Sequence, residues 1–250
     1  MKISRPRNFL TVMLLVFLAV IWQNFTFSQQ PAIAMSSSFP EPNSIPAQSL
    51  AAYQVPNWAR LVDLQSVNRN IKLDIRYATT NNFLKRKLYP EARCILRAGV
   101  AQKLSRVQED LQARGLGLKV FDCYRPLAVT KQMWEVLPDA RYVAHPARGS
   151  RHNRGAAVDV TLVDRNGKEL EMPTAFDDFT ERAGRNYQGT DVSAQAQKNS
   201  QLLEEVMRKH GFAPISSEWW HFDATDWQNF AILDVGFGAI SKPKYNYPLR

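Results

Sequence analysis

Only two cysteines occur among the 250 residues. That excludes a small disulfide-dense scaffold, and it excludes a zinc ribbon, which needs four clustered ligands. Glycine (11) and proline (14) are too few for a low-complexity or collagen-like chain. Long hydrophobic runs are missing except for one near the start, so a polytopic membrane protein is excluded as well. No stretch of basic residues is interleaved with aromatics, and the net charge of +9 therefore does not point to nucleic acid. Histidine is rarer than any of the other candidate catalytic types except cysteine, with four copies, which leaves few ways to build a metal or acid–base centre. What is present is ordinary globular usage: 45% hydrophobic and 22% charged residues, with a length that suits one domain or two small ones.

The N-terminus reads as an address. Lys2, Arg5 and Arg7 supply three of the nine net charges, and Phe9 to Trp22 is then apolar but for Thr11. A helix over that run spans about 21 Å, against a hydrocarbon core of about 30 Å. The length suits the h-region of a secretory signal, with Ala32-Ile33-Ala34 as the small-x-small cleavage site. An uncleaved anchor extending through Phe27 is the alternative, and only then does the protein touch a membrane. Either way the remainder is expected outside the cytoplasm, periplasmic or extracellular. Residues 1–34 are thus a signal peptide or anchor. Residues 35–56, with Pro40, Pro42, Pro46 and Pro56, form a linker that cannot bury enough apolar surface to order itself. Residues 57–250 form the folded domain.

Within that domain, alternation between Leu61 and Tyr77 puts Leu73, Ile75 and Tyr77 on one face of a strand. Val100, Leu104, Val107 and Leu111 recur at helical spacing over 98–114, and Gly115 and Gly117 stop that helix. A strand is predicted over 118–123, a helix opened by Pro126 over 127–136, and a strand over 156–162 with Val158, Val160 and Leu162 inward. A helix follows over 196–210, and a β-prone aromatic segment over 218–222. Early helices followed by loop-joined strands predict an α+β domain: a mainly antiparallel central sheet with helices packed on it.

Two histidines have chemical neighbours. His152 precedes Asp159 by seven residues with Gly155 between them, so the chain can fold back, and His221 lies three after Glu218. A loop histidine, a strand carboxylate and a distant histidine can give a zinc hydrolase its three protein ligands and leave one position open. The same spacing also suits Asp159 paired with an arginine and His152 as a solvated loop residue. Glu218, at the mouth of its strand or on a bulge, could be a general base, or simply a surface carboxylate. Arg125, at a strand end before Pro126, could steady an oxyanion, or be salt-bridged. Cys94 and Cys123, an even pair in an exported domain, either form one disulfide or remain two buried thiols.

Ser150-x-His152-x-x-Gly155-x-Ala157-x-Asp159 and Glu218-x-x-His221 together resemble the zinc D-alanyl-D-alanine carboxypeptidase and dipeptidase families. Asp122-Cys123-Tyr124-Arg125-Pro126 and the segment from Asp74 to Phe83 resemble, more narrowly, the VanX-type dipeptidase branch known from vancomycin resistance. The resemblance implies one Zn²⁺ per chain held by His152, Asp159 and His221. It implies Glu218 as the base that takes a proton from the attacking water and returns it to the leaving amine, and Arg125 beside the oxyanion. It implies Ser150 and Asp177 on the substrate termini, although the adjacent Asp178 competes for the latter role, with Tyr77, Trp219 and Trp220 as pocket walls. The implied substrate is a small D,D-dipeptide, D-alanyl-D-alanine, cleaved outside the cytoplasm in wall turnover or salvage rather than in resistance. A carboxypeptidase or endopeptidase acting on longer peptidoglycan stems, and a non-catalytic zinc-stabilised binding domain, are the alternatives.

Overall fold

The computed structural model describes residues 55–242; the readings of 1–34 and of the linker up to residue 54 lie outside them. A single-domain α+β fold follows the order β1 (Leu61–Asp63), β2 (Lys72–Leu73), β3 (Ile95–Arg97), α1 (Ala98–Ala113), β4 (Gly117–Asp122), α2 (Leu127–Val136), β5 (Ala157–Val163), α3 (Ala194–Lys209), β6 (Phe212–Pro214) and β7 (His221–Ala224), with short 3-10 turns between. β1 and β3 make an antiparallel pair. The main sheet has the order β2-β4-β5-β7-β6 and is antiparallel except where β2 runs parallel to β4.

The helices form where the apolar spacing places them. Val100, Leu104, Val107 and Leu111 are all buried along α1, and Gly115, at φ 74, ends it in the left-handed conformation that favours glycine. α2 begins directly after Pro126. α3 starts two residues before the predicted point because the Ser193 hydroxyl caps it, accepting from the Ala196 amide at 3.0 Å. α1 packs on β3 and β4 and on α3, which in turn packs on β5 and β6.

Three features differ from the sequence expectation. The strand predicted to run through Tyr77 ends at Leu73. Asp74 donates its amide to Val120 as the last ladder bond, β4 then shifts register between Val120 and Asp122, and Arg76–Ala78 turns into a 3-10 segment. Ile75 and Tyr77 are still buried, as the alternation required. Second, all seven residues of β5 are buried, so alternation there separates two covered faces rather than core from solvent. Third, β1, β3 and β6, of three residues each, carry too little pattern to be read in advance.

Candidate active site

Side chains from three neighbouring strands meet in one row. Across β4 and β5, Asp122 faces Asp159; across β5 and β7, Asp159 faces His221. Directly paired residues project on the same side of a sheet, so this register brings His221 and Asp159 together from positions 62 apart. His152 arrives from a loop. It begins a 3-10 turn, His152–Arg154, and Gly155 at φ 66 swings the chain into β5. A Cβ at Gly155 would lie 2.9 Å from Leu61 Cδ2, so the turn needs glycine on both counts. Asn153 fixes the loop: it accepts the Ser150 amide at 2.6 Å and donates to the Arg125 carbonyl and the Thr130 hydroxyl, both at 2.8 Å.

The three donor atoms lie close together. Asp159 Oδ1 is 3.1 Å from His221 Nδ1 and 3.4 Å from His152 Nε2, and the two ring nitrogens are 3.2 Å apart. All three residues are buried. Each imidazole is oriented from behind. His152 Nδ1 faces the Cys123 carbonyl at 2.6 Å and His221 Nε2 faces Asp223 Oδ1 at 2.9 Å. Donation to those acceptors leaves a lone pair on the nitrogen of each ring that faces Asp159. Two lone pairs and a carboxylate pointed at one spot repel unless a metal cation, or in its absence an added proton on His221 Nδ1, lies between them. A tetrahedral ion with bonds of about 2.0–2.1 Å spaces its donors about 3.3–3.4 Å apart, so the trio fits zinc by distance as well as by donor type. The two imidazoles hold the Asp159 carboxyl well below its usual range despite its burial. Burial would lower His221, but its bonds to Asp159 and Asp223 bring it to about 10 without a metal.

Glu218 stands in the loop before β7, and the chain bends at Trp219 and Trp220 rather than running straight, so Glu218 and His221 share a side. Glu218 Oε2 lies 3.9 Å from His221 Nδ1. Burial, with Asp159 and Asp177 adding their charge, pushes its carboxyl up to about 8. It is buried, which removes the surface-carboxylate alternative.

Arg125 is buried against Asp122, whose Oδ2 accepts from Nε at 3.1 Å and Nη2 at 2.7 Å; Tyr89 donates to the other oxygen at 2.7 Å. Burial would lower the guanidinium, but Asp122 holds it well above its usual range. Nη1 is left over, and Arg125 lines a cavity of about 120 Å³ with Tyr77, Ser150, His152, Asp159, Asp177, Glu218, Trp220 and His221. Asp177 adopts φ 62, in the left-handed region. Its Oδ1 accepts from the Tyr77 hydroxyl at 3.0 Å, while Oδ2 is shut off from solvent with no hydrogen-bond partner. Asp178 does not line the cavity; it accepts from the Thr180 amide instead. The Ser150 hydroxyl accepts from the His152 amide at 3.1 Å.

One pocket residue is corrected. Trp219 is buried but does not line this cavity. Trp220 faces the cavity, whereas the Trp219 indole donates to Thr174 at 2.9 Å. Cys94 and Cys123 are joined as a disulfide, with their Cα atoms 5.2 Å apart. Sequence reasoning missed Asp223, Asp122, Tyr89 and the ring stack of Phe83, Phe179 and Tyr142 at the cavity wall. A signal for Asp223 existed: it lies two after His221 on a strand and so on the same face.

The profile of the Peptidase M15 family, described as D-ala-D-ala dipeptidase, matches residues 57–235. The D-alanyl-D-alanine dipeptidase of Escherichia coli (strain K12) is 34% identical over 183 residues, 73% of this chain and 94% of the relative. The D-alanyl-D-alanine dipeptidase of Enterococcus faecium is 27% identical over 184 residues, 65% and 90% of the two chains. A solved structure of the vancomycin resistance D,D-dipeptidase VanXYg in complex with a D-Ala-D-Ala phosphinate analog shares 18% identity over 66% of each chain, at a TM-score of 0.34.

Proposed function

This chain belongs to the M15 family of D-Ala-D-Ala dipeptidases and is a metallopeptidase, and from that premise we propose that it hydrolyses D-alanyl-D-alanine outside the cytoplasm, using one Zn²⁺. The observation that carries the reading is the convergence of His152, Asp159 and His221 beside Glu218 and Arg125 in a small cavity. Zinc at the trio supplies a Lewis acid that polarises the scissile carbonyl and makes water nucleophilic near neutral pH.

The protein's own groups do the rest. Glu218 takes the proton from the attacking water and delivers it to the departing amine, a transfer worth about 10²–10⁴-fold. Arg125, held by Asp122, which Tyr89 fixes in turn, has Nη1 left over to meet the oxygen that gains charge; a guanidinium that does not reorganise is more effective there than one free in solvent. Asp177 offers its unpartnered Oδ2 to the substrate ammonium, and the Ser150 hydroxyl lies in the same cavity for the other terminus. A free ammonium recognised by a carboxylate at the cavity wall suits a dipeptide rather than an extended stem.

Export rests on residues 1–34, and the Cys94–Cys123 disulfide supports it, since such bonds persist in oxidising compartments. There the substrate would come from wall turnover or salvage. The test is hydrolysis of D-Ala-D-Ala with and without a chelator, beside L-Ala-L-Ala, a tripeptide and a pentapeptide stem. Faster cleavage of the pentapeptide would move the assignment to a carboxypeptidase, and no turnover of either with metal bound would leave a binding domain. Cell fractionation with mass measurement of the mature N-terminus tests the location; an intact Met1 on cytoplasmic protein overturns it.

A further inference from the structure

Glu218 stands on a segment with little regular structure, the loop between β6, ending at Pro214, and β7, whose first residue is His221. A base and a metal ligand nevertheless need fixed positions, since small misplacements are expensive in rate. Besides single bonds from Trp219 to Thr174, from Ser217 to the Arg141 carbonyl and from the Val160 amide to the Trp220 carbonyl, one residue outside the cavity holds four carbonyls of this stretch. Arg185 donates its backbone amide to the Ser216 carbonyl at 2.9 Å and Nε to the Ile215 carbonyl at 2.9 Å. Nη2 donates to the carbonyls of Trp219 at 2.7 Å and His221 at 3.2 Å. Nη1 donates to Glu204 of α3 at 3.0 Å, and the guanidinium plane lies 4.5 Å from the centre of the Phe222 ring. The side chain is only 8% exposed.

This pattern exceeds what a structural ion pair requires. Glu204 alone would satisfy the charge; the three carbonyls on the guanidinium, of Ile215, Trp219 and His221, add nothing to charge balance but fix the chain before and after Glu218. Arginine is suited to this because its donors sit in a rigid planar fork. Burial pushes the guanidinium down to about 10, so it stays cationic near neutral pH. α3 supplies the fixed end: Glu204 also accepts from Arg208 one turn on, at 2.8 Å.

We propose that Arg185 is a positioning residue for catalysis, holding the 215–221 stretch from behind so that Glu218 and His221 keep their places relative to Asp159. It never touches substrate. The proposal rests on the roles given above to Glu218 and His221, and its consequences are separable from theirs.

The test uses the full-length zinc enzyme with Arg185→Lys, Arg185→Ala and Glu204→Gln. A loosened base and ligand lower kcat while leaving the substrate contacts at Asp177 and Ser150 intact. The expected result is a 10- to 100-fold loss in kcat for Arg185→Ala with KM within about twofold, a smaller loss for Arg185→Lys, and a 2- to 5-fold loss for Glu204→Gln. Cobalt-substituted protein adds a readout that does not depend on turnover. The visible absorption of the Arg185 variants should shift in position or intensity as His221 moves, with one ion still bound per chain. Should Arg185→Ala fail to fold, the lysine and Glu204 variants carry the same comparison. Unchanged kcat and unchanged cobalt spectra in folded variants overturn the proposal, as does a loss confined to KM. A parent enzyme that does not cleave D-Ala-D-Ala overturns the functional reading instead, and the cobalt spectra then still decide the role of Arg185.

Discussion

In the substitution Asp177→Asn, stability and catalysis should move in opposite directions. Asparagine tolerates the left-handed backbone found at φ 62 and keeps an acceptor for the Tyr77 hydroxyl. What it removes is a carboxyl that burial pushes from 3.8 up to about 7, with Asp159 adding to the rise. Between those two pH values the unfolded chain has released its proton and the folded chain has not. The parent therefore loses stability as pH rises through that window, and the loss is complete above the folded value. Asparagine does not titrate there, so the stability advantage of the variant should grow with pH and then level off. At about 1.36 kcal/mol per pH unit, the growth between pH 5 and 8 is on the order of 2–3 kcal/mol. A bound ion compensates the Asp159 charge and trims this figure, but burial is the larger cause and persists. Urea unfolding of both proteins at pH 5, 6, 7 and 8 in saturating zinc measures the difference, and other titrating groups cancel. Meanwhile the substrate ammonium loses its charged partner, and KM should rise about 10- to 100-fold, the equivalent of one charge-assisted hydrogen bond. A stability gap that stays flat or shrinks with pH, or an unchanged KM, refutes the account of Asp177.

Three further outcomes are expected. Glu218→Gln should lower turnover of D-Ala-D-Ala by about 10²–10⁴-fold while metal analysis still finds the ion, because the carboxylate transfers protons and is not a ligand; normal hydrolysis by that variant refutes the mechanism. Asp223→Asn weakens the acceptor behind His221 Nε2 and should reduce metal affinity about 10- to 100-fold in a competition titration against a chelator; unchanged affinity removes Asp223 from the site. Replacing both Cys94 and Cys123 with serine should cost roughly 3 kcal/mol in denaturant unfolding, from the freedom the open chain regains; a loss below about 1 kcal/mol contradicts the chain-entropy account.

The candidate residues could be named in advance because they lie in short spacings, His152 and Asp159 on either side of a glycine turn and Glu218 three before His221, which left several roles open until the family resemblance chose among them. The helices were readable from their apolar periodicity. The residues that hold those groups were not. Asp122 stands in the quoted motif with Arg125, but its bond to Tyr89 spans 33 residues, and Arg185 reaches the 215–221 stretch from another part of the chain, so neither contact leaves a local pattern. Tyr77 was placed in the pocket correctly but on a strand that ends four residues earlier, because β2 stops where β4 shifts its register. Trp219 and Trp220 look equivalent as letters; only the direction of the chain at that point decides that one faces the cavity and the other Thr174.

The disulfide described above has a reach beyond stability. Cys123 carries half of it in its side chain and, in its carbonyl, the acceptor that orients the His152 ring. Opening the sulfur–sulfur link frees the end of β4 from Cys94 and with it the atom against which the first ligand is aligned. The redox state of the surroundings thereby becomes a condition on metal capture: in a thiol-rich medium the same chain, with every ligand present, should be a poorer zinc protein.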